Sequence, residues 1–107
     1  MRNVASMMKK MQEMQTRFEA MRGDLARMEF TAVVGGGAVS ATVTGDGKLA
    51  KLKLGFDLLD PADSEMLEDM ICLATNNAYQ QAAEEKTKMM KDITGGLPLP
   101  PGLNLLF

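Results

Sequence analysis

From Val4 to Met28 the apolar residues recur at intervals that alternate between three and four: Val4, Met7, Met11, Met14, Phe18, Met21, Leu25 and Met28. That alternation is a heptad stripe on one helix, with Val4, Met11, Phe18 and Leu25 in one row and the four Met residues in the other. At ~1.5 Å per residue the helix is about 40 Å long. Asn3 is placed to cap it, and Glu13 stands one turn before Arg17 as an ion-pair partner. Gly23 falls opposite the stripe, where it weakens the helix by about 1 kcal/mol relative to Ala but clashes with nothing.

The period changes near Phe30. Thr31, Val33 and Val34 favour extended backbone, and Gly35, Gly36 and Gly37 break the run. From Ala38 to Thr44, Val39, Ala41 and Val43 alternate with Ser40, Thr42 and Thr44, which predicts a half-buried strand. Gly45, Asp46 and Gly47 are expected to supply the positive φ values of a tight turn. Lys48 to Phe56 follows, with Leu52, Leu54 and Phe56 facing in and Lys51 and Lys53 facing out. Neither glycine-rich segment leads into a helix carrying Lys-Ser or Lys-Thr, so both read as hairpin turns rather than phosphate cradles.

Asp60 and Pro61 predict the start of a second helix, because Asp caps free amides and Pro is accommodated in the first turn. Asp63, Glu65, Glu68 and Asp69 complement the positive end of its macrodipole, and Lys86, Lys88 and Lys91 the negative end. Leu67, Ile71, Ala74, Ala78 and Ala82 form its apolar stripe, with small residues that permit close approach to a neighbour. Gly95 and Gly96 stop it after about 30 residues, or ~45 Å. The fold class is therefore α+β: long helix, three-stranded antiparallel meander, long helix, in one domain over residues 1–96. Residues 97–107, LPLPPGLNLLF, form a separate tail. Its three prolines forbid helix, while five Leu and Phe107 are too apolar for a free linker, so the tail should dock on its own domain, a second copy or a partner.

A strand of six residues spans ~20 Å, so the meander shelters about half of either helix. The remaining stripe needs a second surface, and the sheet has open edges. Both point to a symmetric dimer, with Met7, Met11, Met14, Phe18 and Met21 at its interface.

Composition narrows the chemistry. Twelve Lys and Arg against fourteen Asp and Glu give a net charge of −2, which by itself advertises neither a nucleic-acid binder nor a membrane binder. The distribution is less even: residues 1–54 carry nine basic and five acidic side chains, residues 55–107 three and nine. Any polyanion site is then a local patch, mostly on the first half. The chain has no His, and its one cysteine, Cys72, lies in an apolar helical run where a buried inert thiol is expected. No nucleophile and base pair off, so no catalytic residue, cofactor or metal ligand is nominated and the protein is read as a non-enzyme. No signal peptide or membrane span is recognisable, which fits a cytoplasmic protein.

Four segments together resemble one family. The opening MMKKMQEMQTRFEAM, the hairpin region GGGAVSATVTGDG, the helix entry LLDPADSEMLEDMI and the ending LPLPPGLNLLF are similar, in order and nearly end to end, to the YbaB/EbfC family of bacterial nucleoid-associated proteins. The resemblance implies an α-β-β-β-α homodimer with helices projecting like tweezers, and DNA as its partner. It also implies a role in shaping the nucleoid without catalysis. The family's pattern of basic positions on the long helices is matched here by Lys9, Lys10, Arg17, Arg22 and Arg27, with Lys86, Lys88 and Lys91 on the second helix. Ser40 stands where relatives often carry a basic residue, so that strand is not nominated.

Phosphate contacts from these side chains would give salt-sensitive, weakly specific binding. The alternative is a protein-interaction module: eleven Met residues, several on one helix, suit an adaptable cleft for another protein's helix, and the apolar tail offers a second such surface.

Overall fold

The structure is a computed structural model that describes residues 2–95; the tail at 97–107 lies outside the described residues. Helix α1 (Arg2–Arg27) leads into strands β1 (Glu29–Val34), β2 (Val39–Thr44) and β3 (Leu49–Leu54), and helix α2 (Ser64–Thr94) follows. The sheet is an antiparallel meander in the order β1-β2-β3. The whole is long and narrow, 71 × 22 × 18 Å.

Alternation along the strands decides what each face of the sheet does. Register pairs Ala32 with Ala41 and Val34 with Val39, then Ala41 with Leu52 and Val39 with Leu54, so these residues share one face. Helix α2 lies on it. Ala74 and Ala78 have no exposed surface, nor do Val39, Ala41 and Val43 beneath them. With no side chain beyond Cβ, the alanines let the helix axis sit close to the sheet, and apolar area leaves water with little side-chain ordering. The opposite face carries Thr31 and Thr42, whose hydroxyls share a 2.8 Å hydrogen bond, together with Ser40, Lys51 and Lys53.

Helix α1 packs elsewhere. Its Phe18, Met21 and Leu25 are buried, with Met14 and Met28 beside them, against Met89, Met90 and Ile93 of α2. The helices run antiparallel: Leu25 shares a groove with Ala82, whereas Met21 shares one with Ile93. Because α2 stops at Gly95 in the left-handed region (φ 66°), the first turns of α1 extend past it with no other described element packed on them. Val4, Met7, Met8 and Met11 are all more than half exposed. The heptad stripe is thus one continuous face, half core and half bare arm.

One turn holds this arrangement. The hairpin between β2 and β3 is closed by bonds from the Thr44 amide to the Lys48 carbonyl (2.8 Å) and from the Gly47 amide to the Thr44 carbonyl (3.1 Å). Of its glycines only Gly47 has positive φ (93°). Gly45 is required for a different reason: its amide donates to the carbonyls of Leu25 (3.0 Å) and Met28 (3.1 Å), satisfying the end of α1. A Cβ on Gly45 would lie 2.4 Å from the Leu25 carbonyl oxygen.

Several local expectations are corrected. Helix α1 already includes Arg2, so Asn3 lies inside it rather than capping it. Within α1 an ion pair joins Arg27 to Asp24 (2.6 Å) rather than Glu13 to Arg17. Asp60 does not open α2; its carboxylate accepts from the Ala62 amide and its carbonyl from the Asp63 amide, both 2.9 Å, making a separate turn before Ser64. Phe56 is outside β3, in a short turn after Gly55, and is 76% exposed. Leu52 faces as expected but stays 38% exposed, because α2 covers β1 and β2 and leaves β3 bare.

The two glycines predict opposite outcomes. Gly45→Ala should lower stability by at least about 2 kcal/mol in urea unfolding, since a rigid backbone meets the new methyl group. Gly23→Ala, whose Cβ would meet nothing nearer than the Arg27 guanidinium at 3.9 Å, should raise it by about 1 kcal/mol.

Candidate nucleic-acid interface

All but one of the eight nominated basic side chains are exposed, and the eighth, Lys86, is half-buried. They occupy three places. Lys9 and Lys10 stand on the bare arm of α1. Arg22 and Lys86 come together from the two helices across a groove of about 340 Å³, which the hairpin turn at Gly45–Gly47 and Tyr79 also line. The Tyr79 hydroxyl donates to the Gly47 carbonyl (3.3 Å) and holds that turn against α2. Arg17 lines the other groove between the helices, where Asp24 and Asp92 face the same space. Arg27 is engaged by Asp24, while Lys88 and Lys91 are exposed on the last turns of α2.

The acidic side chains complete the pattern. Asp57, Asp60 and Asp63 before α2 and Glu65, Glu68 and Asp69 in its first turns are all exposed, and no Lys or Arg occurs between Lys53 and Lys86. Since the first half of α2 covers the sheet and its second half meets α1, the acidic groups gather at the sheet end of the rod. The nominated cations stand along the helical end. A polyanion is repelled at one end and met by ammonium and guanidinium groups at the other. The helical end also holds carboxylates, Glu13, Glu19 and Asp92 among them, so attraction depends on individual flanks rather than on a uniform field. Lys51 and Lys53, on the open sheet face, are further exposed cations outside the nominated set. Their outward position was legible in the strand alternation.

The Met positions divide. Phe18 and Met21 are each 3% exposed, their side chains already occupied by α2 of the same chain, and Met14 is half-buried, whereas Met7 and Met11 are open. Cys72 departs from expectation: it is exposed, not buried. It stands two residues before Ala74, which puts it on the outer side of α2, and the apolar run around it reflects Met66 and Leu73, themselves 56% and 52% exposed. Among the described residues no helix is long and apolar enough to cross a membrane.

Comparison with known proteins agrees with this architecture. The sequence profile of the YbaB/EbfC DNA-binding family matches residues 1–97. A nucleoid-associated protein of Clostridium acetobutylicum is 44% identical over 98 residues, 92% of this chain and 88% of that one. A nucleoid-associated protein of Gluconobacter oxydans is 39% identical over 107 residues, the full length of both. The crystal structure of an uncharacterized protein from Helicobacter pylori superposes with a TM-score of 0.69, covering 78% of this chain and 88% of that one; at 24% identity it supports the fold alone.

Exposure of Cys72 has a direct consequence. In the folded protein its thiol should react fully with a disulfide reagent within minutes, at a rate close to that in denaturant; strong protection on folding would contradict the placement.

Proposed function

The chain belongs to the YbaB/EbfC DNA-binding family, and from that premise we propose that it acts as a homodimer gripping duplex DNA along its helical end. In this reading it binds with weak sequence specificity, sits on the nucleoid in the cytoplasm and affects nucleoid organisation or gene expression without catalysis. The observation that carries the reading is the separation of charge along the rod. Six exposed carboxylates follow one another from Asp57 to Asp69 with no Lys or Arg between them, outnumbering the exposed lysines of β3, and the nominated Lys and Arg residues stand on the helices.

The uncovered edge strand supports the dimer. Leu49 and Leu52 on β3 are 47% and 38% exposed although they face the side that α2 covers on its neighbours. A β-bulge at Thr42 and Val43 turns Leu49 to that same side. The outer edge of β3 is unpaired, which invites another copy. Joining there, rather than through the Met rows, leaves both helical ends free and doubles a modest cationic patch. Lys and Arg on helices contact phosphate oxygens, which gives affinity with little sequence information.

Two measurements test this. Light scattering should give twice the 11.6 kDa chain mass, and Leu52→Glu should return it to one chain with helix content retained. In a mobility shift, Lys9, Lys10 and Arg17 from two copies make six phosphate contacts, so affinity should fall by about 10³-fold between ~50 and ~200 mM salt. Replacing the three by Ala should flatten the slope of log affinity against log salt by about five. An unchanged slope would remove these residues from the interface.

A further inference from the structure

The open face of the sheet carries an ordered set of polar side chains. Across the three strands Thr31, Thr42 and Lys51 form one row, and Val33, Ser40 and Lys53 form the next. Lys51 and Lys53 are exposed. Two positions apart on one strand, they stand ~6.7 Å from each other on the same face, close to the repeat of successive phosphates along a DNA strand. The hydroxyls beside them add donors. Thr31 and Thr42 share one hydrogen bond of 2.8 Å, so whichever oxygen accepts it keeps its own hydrogen for an outside acceptor. Ser40, opposite Lys53 and partly exposed, contributes another.

The carboxylates near this face gather at its other end. Glu29 pairs in register with Thr44, the Thr44 hydroxyl donates to the Asp46 carboxylate, and Lys48 stands beside them. Asp57 follows only after β3 has ended and the chain has turned at Gly55. The acids of α2 lie on another side of the molecule. Ala74 and Ala78 mark the side of that helix packed on the sheet, and at ~3.6 residues per turn Glu65, Glu68 and Asp69 fall on its outer side. A helix about 10 Å across stands between them and the sheet, more than the screening length of about 8 Å. Their repulsion acts on the α2 side and is weak at the open face.

We propose that the open sheet face is a second contact surface for duplex DNA, in which Lys51 and Lys53 meet successive phosphates of one strand and the Ser40 and Thr31–Thr42 hydroxyls donate to their oxygens. The one aromatic residue of the strands, Phe30, packs on the α2 side. The open face therefore has no ring on which unpaired bases could stack, and its cations and hydroxyls suit a phosphate backbone read without sequence preference. The inference rests on the DNA reading above for the identity of the polyanion and adds a contact away from the helices.

Amide resonances of the full-length protein, titrated with a short duplex at low salt, test it. Thr31, Ser40, Thr42, Lys51 and Lys53 should shift while Glu65 and Asp69 stay in place, and the same shifts should persist when Lys9, Lys10 and Arg17 are replaced by Ala. A silent sheet with shifting helices would overturn this inference and leave the helical reading standing. Shifts confined to the sheet would support it and remove the helical reading. Poly-glutamate giving the same shifts at equal charge concentration would overturn it, by reducing the face to a general cation patch. In a mobility shift, Lys51→Gln with Lys53→Gln should flatten the slope of log affinity against log salt by about two per chain. An unchanged slope, with thermal unfolding also unchanged, would overturn the proposal.

Discussion

The contact between the alanine row of α2 and the small residues of β1 and β2 is the constraint on which the other features rest. Ala74, Ala78 and Ala82 meet Ala32, Val39, Ala41 and Val43 with almost no residual exposure. No fully buried side chain in this layer is larger than Val. A seam of small residues yields little area per residue and compensates by proximity and by low ordering entropy. It also fixes where α2 lies, over two strands and not the third. The bare leucines of β3 and the availability of the second half of α2 for α1 both follow from that placement.

Helix α1 is attached at a different scale. Bulky Phe18, Met21 and Leu25 fill the space against Met89, Met90 and Ile93, and the Gly45 amide ties the helix end to the β2–β3 turn through the carbonyls of Leu25 and Met28. Packing sets the crossing of the two helices; the backbone hydrogen bonds set the point from which α1 departs. Only a residue without Cβ can stand at that junction, because the Leu25 carbonyl occupies the space where Cβ would be. The result is a base with a helical extension, in which the cations of the extension sit far from the acidic groups at Asp57 to Asp69.

This geometry reconciles an overall negative chain with membership of a DNA-binding family. Net charge is a poor guide when opposite charges are held apart by a rod 71 Å long, since screening at physiological salt acts over about 8 Å. A polyanion near the helical end meets its local cations and is little affected by carboxylates several screening lengths away. What remains of the repulsion comes from nearby acids such as Asp24 and Asp92, which share a groove with Arg17.

The element order, the meander and the half-buried character of β2 were legible from periodicity, because heptad spacing and strict alternation admit few other readings. So was the overhang of α1, which follows from comparing a 40 Å helix with a 20 Å strand. The positions of Lys51, Lys53, Lys9 and Lys10 on exposed surface were equally local consequences of helix and strand geometry. Other features depended on which surfaces meet in space. Gly45 looked like a turn glycine and is a docking glycine, because its neighbour Leu25 is twenty residues away in the chain. Cys72 looked like core and is exposed, because the sheet is only wide enough for the alanine side of α2. Arg22 and Lys86, far apart in sequence, face one groove only because the helices fold back antiparallel. Periodicity states which residues share a face; the contact between faces, set by side-chain volume and chain reversal, decides which of those faces becomes core, edge or open cleft.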